Sequence, residues 1–307
     1  MLLPEDDGSY TDVVLGFDDL EMYKSDINPW FGATPGRFAN RIADGRFPLN
    51  GKDYQLLVNC GPNHLHGGGP GALSKKDWQV IDSSSDSVTF EVFSPDGEEG
   101  YPGNLTVRVT YTLTDDNELR IDFWASSDQD TILNLTNHAY WNLAGEASGA
   151  VGAHLMKINA SRFLPRNRNC IPTGELRPLD GNVLDYRREK SIDSAMTSMD
   201  DFEDCRGFDH SYVLDKQPEE LALAATYCDP ASGRRMEVYT RESSVHIYTA
   251  GFFDDIPGKK GHIYRPHEAV CFECQNFPDA PNHANFPSST LRQGEVYESA
   301  TVHRFTF

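Results

Sequence analysis

Apolar and polar side chains alternate strictly over residues 105–113. Leu105, Val107, Val109, Tyr111 and Leu113 fall on one side, and Thr106, Arg108, Thr110 and Thr112 on the other. A period of two cannot form the apolar stripe of a helix, but it matches a sheet with one buried and one wet face. Comparable short runs occupy 88–93, 119–125, 154–159, 220–228, 235–241, 245–250, 269–274 and 296–305. Turn chemistry separates them at Pro95-Asp-Gly97, Tyr101-Pro-Gly103, Asp115-Asp-Asn117, Asp229-Pro-Ala-Ser-Gly233 and Pro257-Gly258,. Only 18–24 and 192–199 read as helix, and both are short. The expected fold class is all-β, an antiparallel β-sandwich or barrel with few short helices.

The chain has 307 residues, enough for a sizeable core, and no repeat, low-complexity tract or Gly/Ser linker divides it,. A single domain over 1–307 is therefore expected. With 47 acidic against 27 basic side chains the net charge is −20, which repels phosphate backbones and anionic membrane surfaces. Nucleic acid and membrane partners are not expected; a neutral small molecule approaches without electrostatic cost. No apolar run reaches the ~20 residues of a membrane-spanning helix, and Met1-Leu-Leu-Pro-Glu-Asp-Asp7 lacks the basic start and apolar core of a secretory signal,. Six scattered cysteines suit reduced thiols and a cytoplasmic location better than a disulfide framework,. The Asn-x-Ser/Thr sequons at Asn104, Asn134 and Asn159 matter only on a secretory route,.

Chemistry concentrates in a few segments. His138 sits in the polar and aromatic run Asn134-Leu-Thr-Asn-His138-Ala-Tyr-Trp-Asn142, where Asn134, Asn137 and Asn142 offer a lattice to orient it. Glu273 sits in Val270-Cys-Phe-Glu273-Cys-Gln-Asn-Phe-Pro-Asp-Ala280, a carboxylate inside an apolar strand. An ionised group there needs a partner or a ligand. Together the two can act as an acid/base pair; taken singly, His138 could be a packing histidine and Glu273 a strand-end carboxylate paired with an arginine. Upstream lie Phe31-Gly-Ala-Thr-Pro-Gly-Arg-Phe-Ala-Asn40-Arg41 and Asn63-His-Leu-His66-Gly-Gly68, and between the pair lies Gly207-Phe-Asp209-His-Ser-Tyr212. Asp209 alternatively caps its own turn. His64 and His66, two apart on a strand, would share a face, but no acidic or cysteine partner follows at metal-site spacing. The glycine run after His66 lacks the order of a phosphate loop. Cys271 and Cys274 form a lone C-x-x-C whose members face opposite sides of a strand, as ordinary thiols would.

Taken in order, these segments closely resemble the aldose 1-epimerase family, the galactose mutarotases. The resemblance runs from about Val13 to Phe305 and includes the closing Leu291-Arg-Gln-Gly-Glu-Val-Tyr297. It implies a large β-sandwich with an open cleft, the galactose mutarotase-like supersandwich, and interconversion of the α and β anomers of free aldoses such as galactose and glucose. It makes Glu273 the base and His138 the acid, and it places Asn40, Arg41, His66, Asp209 and His246 against the sugar. No metal and no cofactor are implied, and the protein would be a monomer or weak dimer. Family members carry several strands before the segment matching Asp12-Val-Val-Leu-Gly-Phe17, so part of the N-terminal edge is expected to be missing here. His246 stands where several animal members have glutamine, which bears on epimer preference. Two other functions compete: a sugar-binding or regulatory protein of the same fold without catalysis, and a glycoside hydrolase using Asp209 and Glu273 as its carboxylates.

Overall fold

A computed structural model describes residues 1–196 and 206–307. Its strands are antiparallel and form two main sheets. The larger has nine strands in the order Lys190–Ser191, Leu155–Ile158, Ala222–Cys228, Arg235–Thr240, Val296–Thr306, Glu118–Ser127, Leu105–Leu113, Ser87–Ser94 and Gln79–Ser83. The smaller has five: Arg177–Pro178, Ala160–Phe163, Asp209–Leu214, Ser244–Tyr248 and Cys271–Gln275. Both contribute to one apolar core, where Met156, Ile158, Ala225, Tyr227, Met236 and Val238 of the larger sheet meet Phe163, Tyr212, Val245, Ile247, Phe272 and Cys274 of the smaller. The rings of Tyr227 and Phe272 lie 5.4 Å apart across that layer. Burying a side chain such as Phe272 contributes roughly 1.5–3 kcal/mol.

Period two does the rest. On the Ser244–Tyr248 and Cys271–Gln275 strands, Val245, Ile247, Phe272 and Cys274 enter the core. Their neighbours Ser244, His246, Tyr248, Cys271, Glu273 and Gln275 must therefore point to the other face. Register aligns these polar groups: His246 lies opposite both Ser211 and Glu273, and Tyr248 opposite both Asp209 and Cys271. One face of the small sheet is thereby apolar and inward, and the other carries the chemistry.

The expected strands are present, with three differences. The run at 154–159 forms the strand Leu155–Ile158 of the large sheet, and an unexpected strand, Ala160–Phe163, follows at once in the small one. The chain changes sheets at Asn159, whose side-chain amide donates to the Leu223 carbonyl at 2.8 Å and whose N–H donates to the Ala224 carbonyl at 2.8 Å. Asp209 opens a buried strand and does not cap a turn. Helix is shorter than expected, at Leu20–Lys24 and Asp193–Met196; the expected residues 197–199, like Cys205, lie outside the described chain.

Arg37 is the buried charge that ties the loop leading to Asn40 and Arg41 to the end of the Ser87–Ser94 strand and the turn after it. Its side chain is 2% exposed. It donates to Ser94 Oγ at 2.8 Å and to the carbonyls of Ser94, Pro95, Pro102 and Gly103 at 2.8–3.0 Å. Burial lowers its pKa to about 10, so it remains a cation at neutral pH. Arg37→Met should leave those five acceptors unpaired and cost about 3–5 kcal/mol. Chemical denaturation is the measurement, and a loss below about 1 kcal/mol would show that water replaces the guanidinium.

Candidate active site

A cavity of about 590 Å3, within the range of small-molecule sites, opens on the polar face of the five-stranded sheet. Its walls include Asn40, Arg41, His66, His138, Asp209, His246 and Glu273, so every candidate residue from the sequence faces one space. Glu273 is 2% exposed and His138 3%. The imidazole Nε2 lies 3.6 Å from Glu273 Oε1. The other oxygen, Oε2, is buried and has no hydrogen-bond partner. Leaving a buried carboxylate oxygen unpaired is costly, and Glu273 is a residue of the cavity wall, where a ligand hydroxyl can donate to it.

His138 is held by backbone and by rings. Its N–H donates to the Ala33 carbonyl at 2.9 Å, and its carbonyl accepts from Gly32 at 3.1 Å. The imidazole stacks on Tyr140 with centroids 4.9 Å apart, and the Trp30 ring lies near-parallel to it at 6.3 Å. The expected asparagine lattice acts differently. Asn137 Oδ1 accepts from the Ala139 N–H at 3.1 Å, Asn134 Oδ1 accepts from the Asn276 N–H at 2.8 Å, and Asn142 donates to the Glu268 carbonyl at 2.8 Å. These bonds brace the main chain that carries the histidine and do not touch the ring. Burial lowers the His138 pKa, and the Glu273 charge restores part of that loss.

His66 and Asn40 depend on unusual backbone. Asn40 has φ 62 and His66 φ 51, both left-handed, a conformation that costs free energy and recurs at functional sites. The next residue, Gly67, has φ +86, and a Cβ there would stand 1.7 Å from the Gly36 carbonyl oxygen, so only glycine fits,. The Asn40 N–H donates to His66 Nδ1 at 3.1 Å, and the His66 N–H donates to the Asn40 carbonyl at 3.0 Å. Burial, reinforced by His138 and Arg41, holds the His66 pKa well below the usual range. The neutral ring must then carry its proton on Nε2, as a donor.

His64 and His66 do not share a face. His64 packs inward, with Nδ1 at 2.6 Å from the Leu57 carbonyl and Nε2 at 2.6 Å from the Tyr101 hydroxyl. Among the described residues, His66, His138 and Glu273 form a different triad whose ligating atoms lie within 4.8 Å of one another. It fits a metal poorly. His66 Nδ1 is occupied by the Asn40 N–H and Nε2 bears the proton, so neither nitrogen offers a free lone pair; metal-binding histidines ordinarily direct the second N–H outward to an acceptor.

Asp209 is 5% exposed. Its Oδ1 accepts from His246 Nε2 at 2.7 Å, and its Oδ2, 3.7 Å from Arg41 Nη1, has no hydrogen-bond partner. Burial pushes its pKa up, but Arg41 and the His246 hydrogen bond outweigh this and hold it well below the carboxylate range. Two buried acceptor oxygens without a partner, Glu273 Oε2 and Asp209 Oδ2, thus belong to residues that line one cavity with a histidine donor. This arrangement suits a neutral polyhydroxy ligand.

Two wall residues and a thiol beside His138 escaped the sequence reading as site residues. Trp30 packs 4.9 Å from the His66 ring, Tyr248 lies 6.3 Å from His138, and Cys271 Sγ lies 3.5 Å from His138 Nδ1. Burial, with the Glu273 charge added, raises the Cys271 pKa well above its usual value, so its thiol stays neutral. Two of them carry a signal: Tyr248 and Cys271 are each two positions from a site residue on a strand and must share its face. Trp30 has none, since its place comes from a long-range loop contact.

The chain matches the family model for aldose 1-epimerase over residues 2–304. Galactose mutarotase from Homo sapiens is 45% identical over 302 residues, spanning 97% of this chain and 85% of that protein. Aldose 1-epimerase from Escherichia coli (strain K12) is 35% identical over 305 residues, 99% of this chain and 87% of that one. Among solved structures, a GalM/aldose epimerase homologue from C. elegans has a TM-score of 0.91 at 32% identity, covering 99% of this chain and 91% of that chain. A galactose 1-epimerase from Lactobacillus acidophilus has a TM-score of 0.84 at 25% identity, covering 98% and 86%. On sequence and fold together, this chain belongs to the aldose 1-epimerase family.

Proposed function

We propose that this protein is an aldose 1-epimerase that interconverts the anomers of free aldoses, with galactose and glucose as substrates. The observation that carries the reading is the buried His138 and Glu273 pair, 3.6 Å apart in the cavity wall, with one carboxylate oxygen lacking a partner. Glu273 takes the proton of the C1 hydroxyl while His138 gives one to the ring oxygen, and the C1–O5 bond opens. The aldehyde turns about C1–C2. Reversing both transfers closes the ring from the other face. His66 Nε2, Arg41, Asn40 and Asp209 hold the remaining oxygens, and paired transfers of this kind contribute roughly 10²–10⁴-fold each. The sequence is the ground for a single domain and a cytoplasmic location, and the family resemblance alone for a monomer or weak dimer. No helix among the described residues is long and apolar enough to cross a membrane, and the five described cysteines are free.

Polarimetry on freshly dissolved α-D-galactose tests the activity directly, and a protein that leaves the spontaneous rate unchanged would overturn it. The roles also fix a pH dependence. His138 must be protonated to donate, so kcat/KM should fall as pH rises through its pKa, which burial places below the usual 6.5,. His138→Asn should abolish that alkaline limb. If the limb persists in the variant, another group is the acid.

A further inference from the structure

His246 spends both ring nitrogens inside the protein. Nε2 lies 2.7 Å from Asp209 Oδ1, and Nδ1 lies 2.8 Å from the Ser211 hydroxyl. All three residues are buried, at 4–5% exposure, and they occupy adjacent positions on two paired strands, with Ser211 directly opposite His246. The direction of each bond follows from chemistry. An ionised Asp209 can only accept, so His246 Nε2 must donate. A neutral ring that donates through Nε2 can only accept at Nδ1, so Ser211 must donate there. The serine hydroxyl has no other side-chain partner among the described bonds.

We propose that Ser211 is a positioning residue for sugar recognition: by donating to His246 Nδ1 it fixes the place and plane of the ring from which Nε2 holds Asp209 Oδ1, so that the second oxygen, Oδ2, is kept for a sugar hydroxyl. Without the serine donor, Nε2 keeps its proton toward Asp209, but Nδ1 is left an unpaired acceptor in a dry wall and the ring is free to shift toward another donor. The carboxylate then has reason to rotate, and Oδ2 leaves the position from which it receives the hydroxyl. Binding suffers, and the proton transfers at His138 and Glu273 do not. The kinetic part of the proposal rests on the aldose 1-epimerase reading; the hydrogen-bond relay does not.

The test uses the full chain. Two-bond ¹⁵N–¹H correlation spectra of the histidine rings, recorded without sugar, should show His246 as the Nε2-protonated tautomer in both proteins, with its Nδ1 resonance moved downfield in Ser211→Ala as the hydroxyl donor is lost. In polarimetric assays Ser211→Ala should raise KM for galactose by ~3–10-fold with kcat within about twofold, since one hydrogen bond to a bound group is at stake. Ser211→Thr keeps the hydroxyl and should restore both readouts, which a general packing defect would not allow. A folded Ser211→Ala protein with the wild-type Nδ1 resonance and KM overturns the proposal. So does a fall in kcat at unchanged KM, which would place Ser211 in the chemistry. If the wild-type protein proves unable to speed mutarotation, the functional reading fails, while the sugar-free spectra still decide the relay.

Discussion

Glu273→Gln should cut kcat for mutarotation of α-D-galactose by roughly 10²-fold or more, with kcat/KM falling in parallel and KM little changed. The amide has the size of the carboxylate and can still hydrogen-bond the C1 hydroxyl, so the sugar should bind. It cannot accept the proton. The same substitution removes a charge that lies in a 2% exposed position with one oxygen unpartnered, so thermal stability should hold or rise. The opposite movement of activity and stability separates loss of a base from loss of fold. Near-normal turnover by a folded Glu273→Gln protein would end the assignment of Glu273 as base.

The two levels of structure were legible to different degrees. Period two found most strands of both sheets, because alternation is local and each strand has one buried face: Val245, Ile247, Phe272 and Cys274 inward, His246 and Glu273 outward. It could not find the change of sheet at Asn159, where alternation continues while the partner strand changes. The site residues were named through ordered motifs, and all seven line one cavity. Their hydrogen bonds were beyond reach. That Asn40 and His66 clasp each other follows from left-handed backbone at both and from Gly67 pressed on Gly36. That His246 grips Asp209 follows from cross-strand register, which a single sequence does not print. His64 shows the limit most clearly: spacing put it beside His66, whereas the left-handed turn at His66 lets the two rings diverge, one to Tyr101 and one to the cavity.

Acidification below pH 6.5 should destabilise the protein steeply, well before its carboxylates titrate. Burial lowers the pKa of His64, His66, His138, His154, His210, His267 and His303; His210 falls to about 3 and His303 to about 4. For a group whose folded pKa is depressed, the unfolded chain binds the proton first, so the stability it contributes is complete above about pH 6.5 and is lost as pH falls toward the folded value. His303 illustrates the size. Its ring lies 5.0 Å from that of Trp141 between the sheets, and its Nδ1 has no partner. A depression from 6.5 to about 4 amounts to about 3 kcal/mol at the acid end,. Several such groups rival the ~5–15 kcal/mol of a typical fold. Asp209, held well below its ordinary pKa, weakens the fold only at still lower pH, so it cannot offset the loss. Urea denaturation at steps from pH 7.5 to 4.5 should show stability falling throughout the lower part of that range. In His303→Phe the slope between pH 6 and 4.5 should ease by up to about 1.4 kcal/mol per pH unit, the contribution of one proton. A slope identical to wild type would mean that His303 is already protonated in the folded sandwich or titrates there as freely as in the unfolded chain.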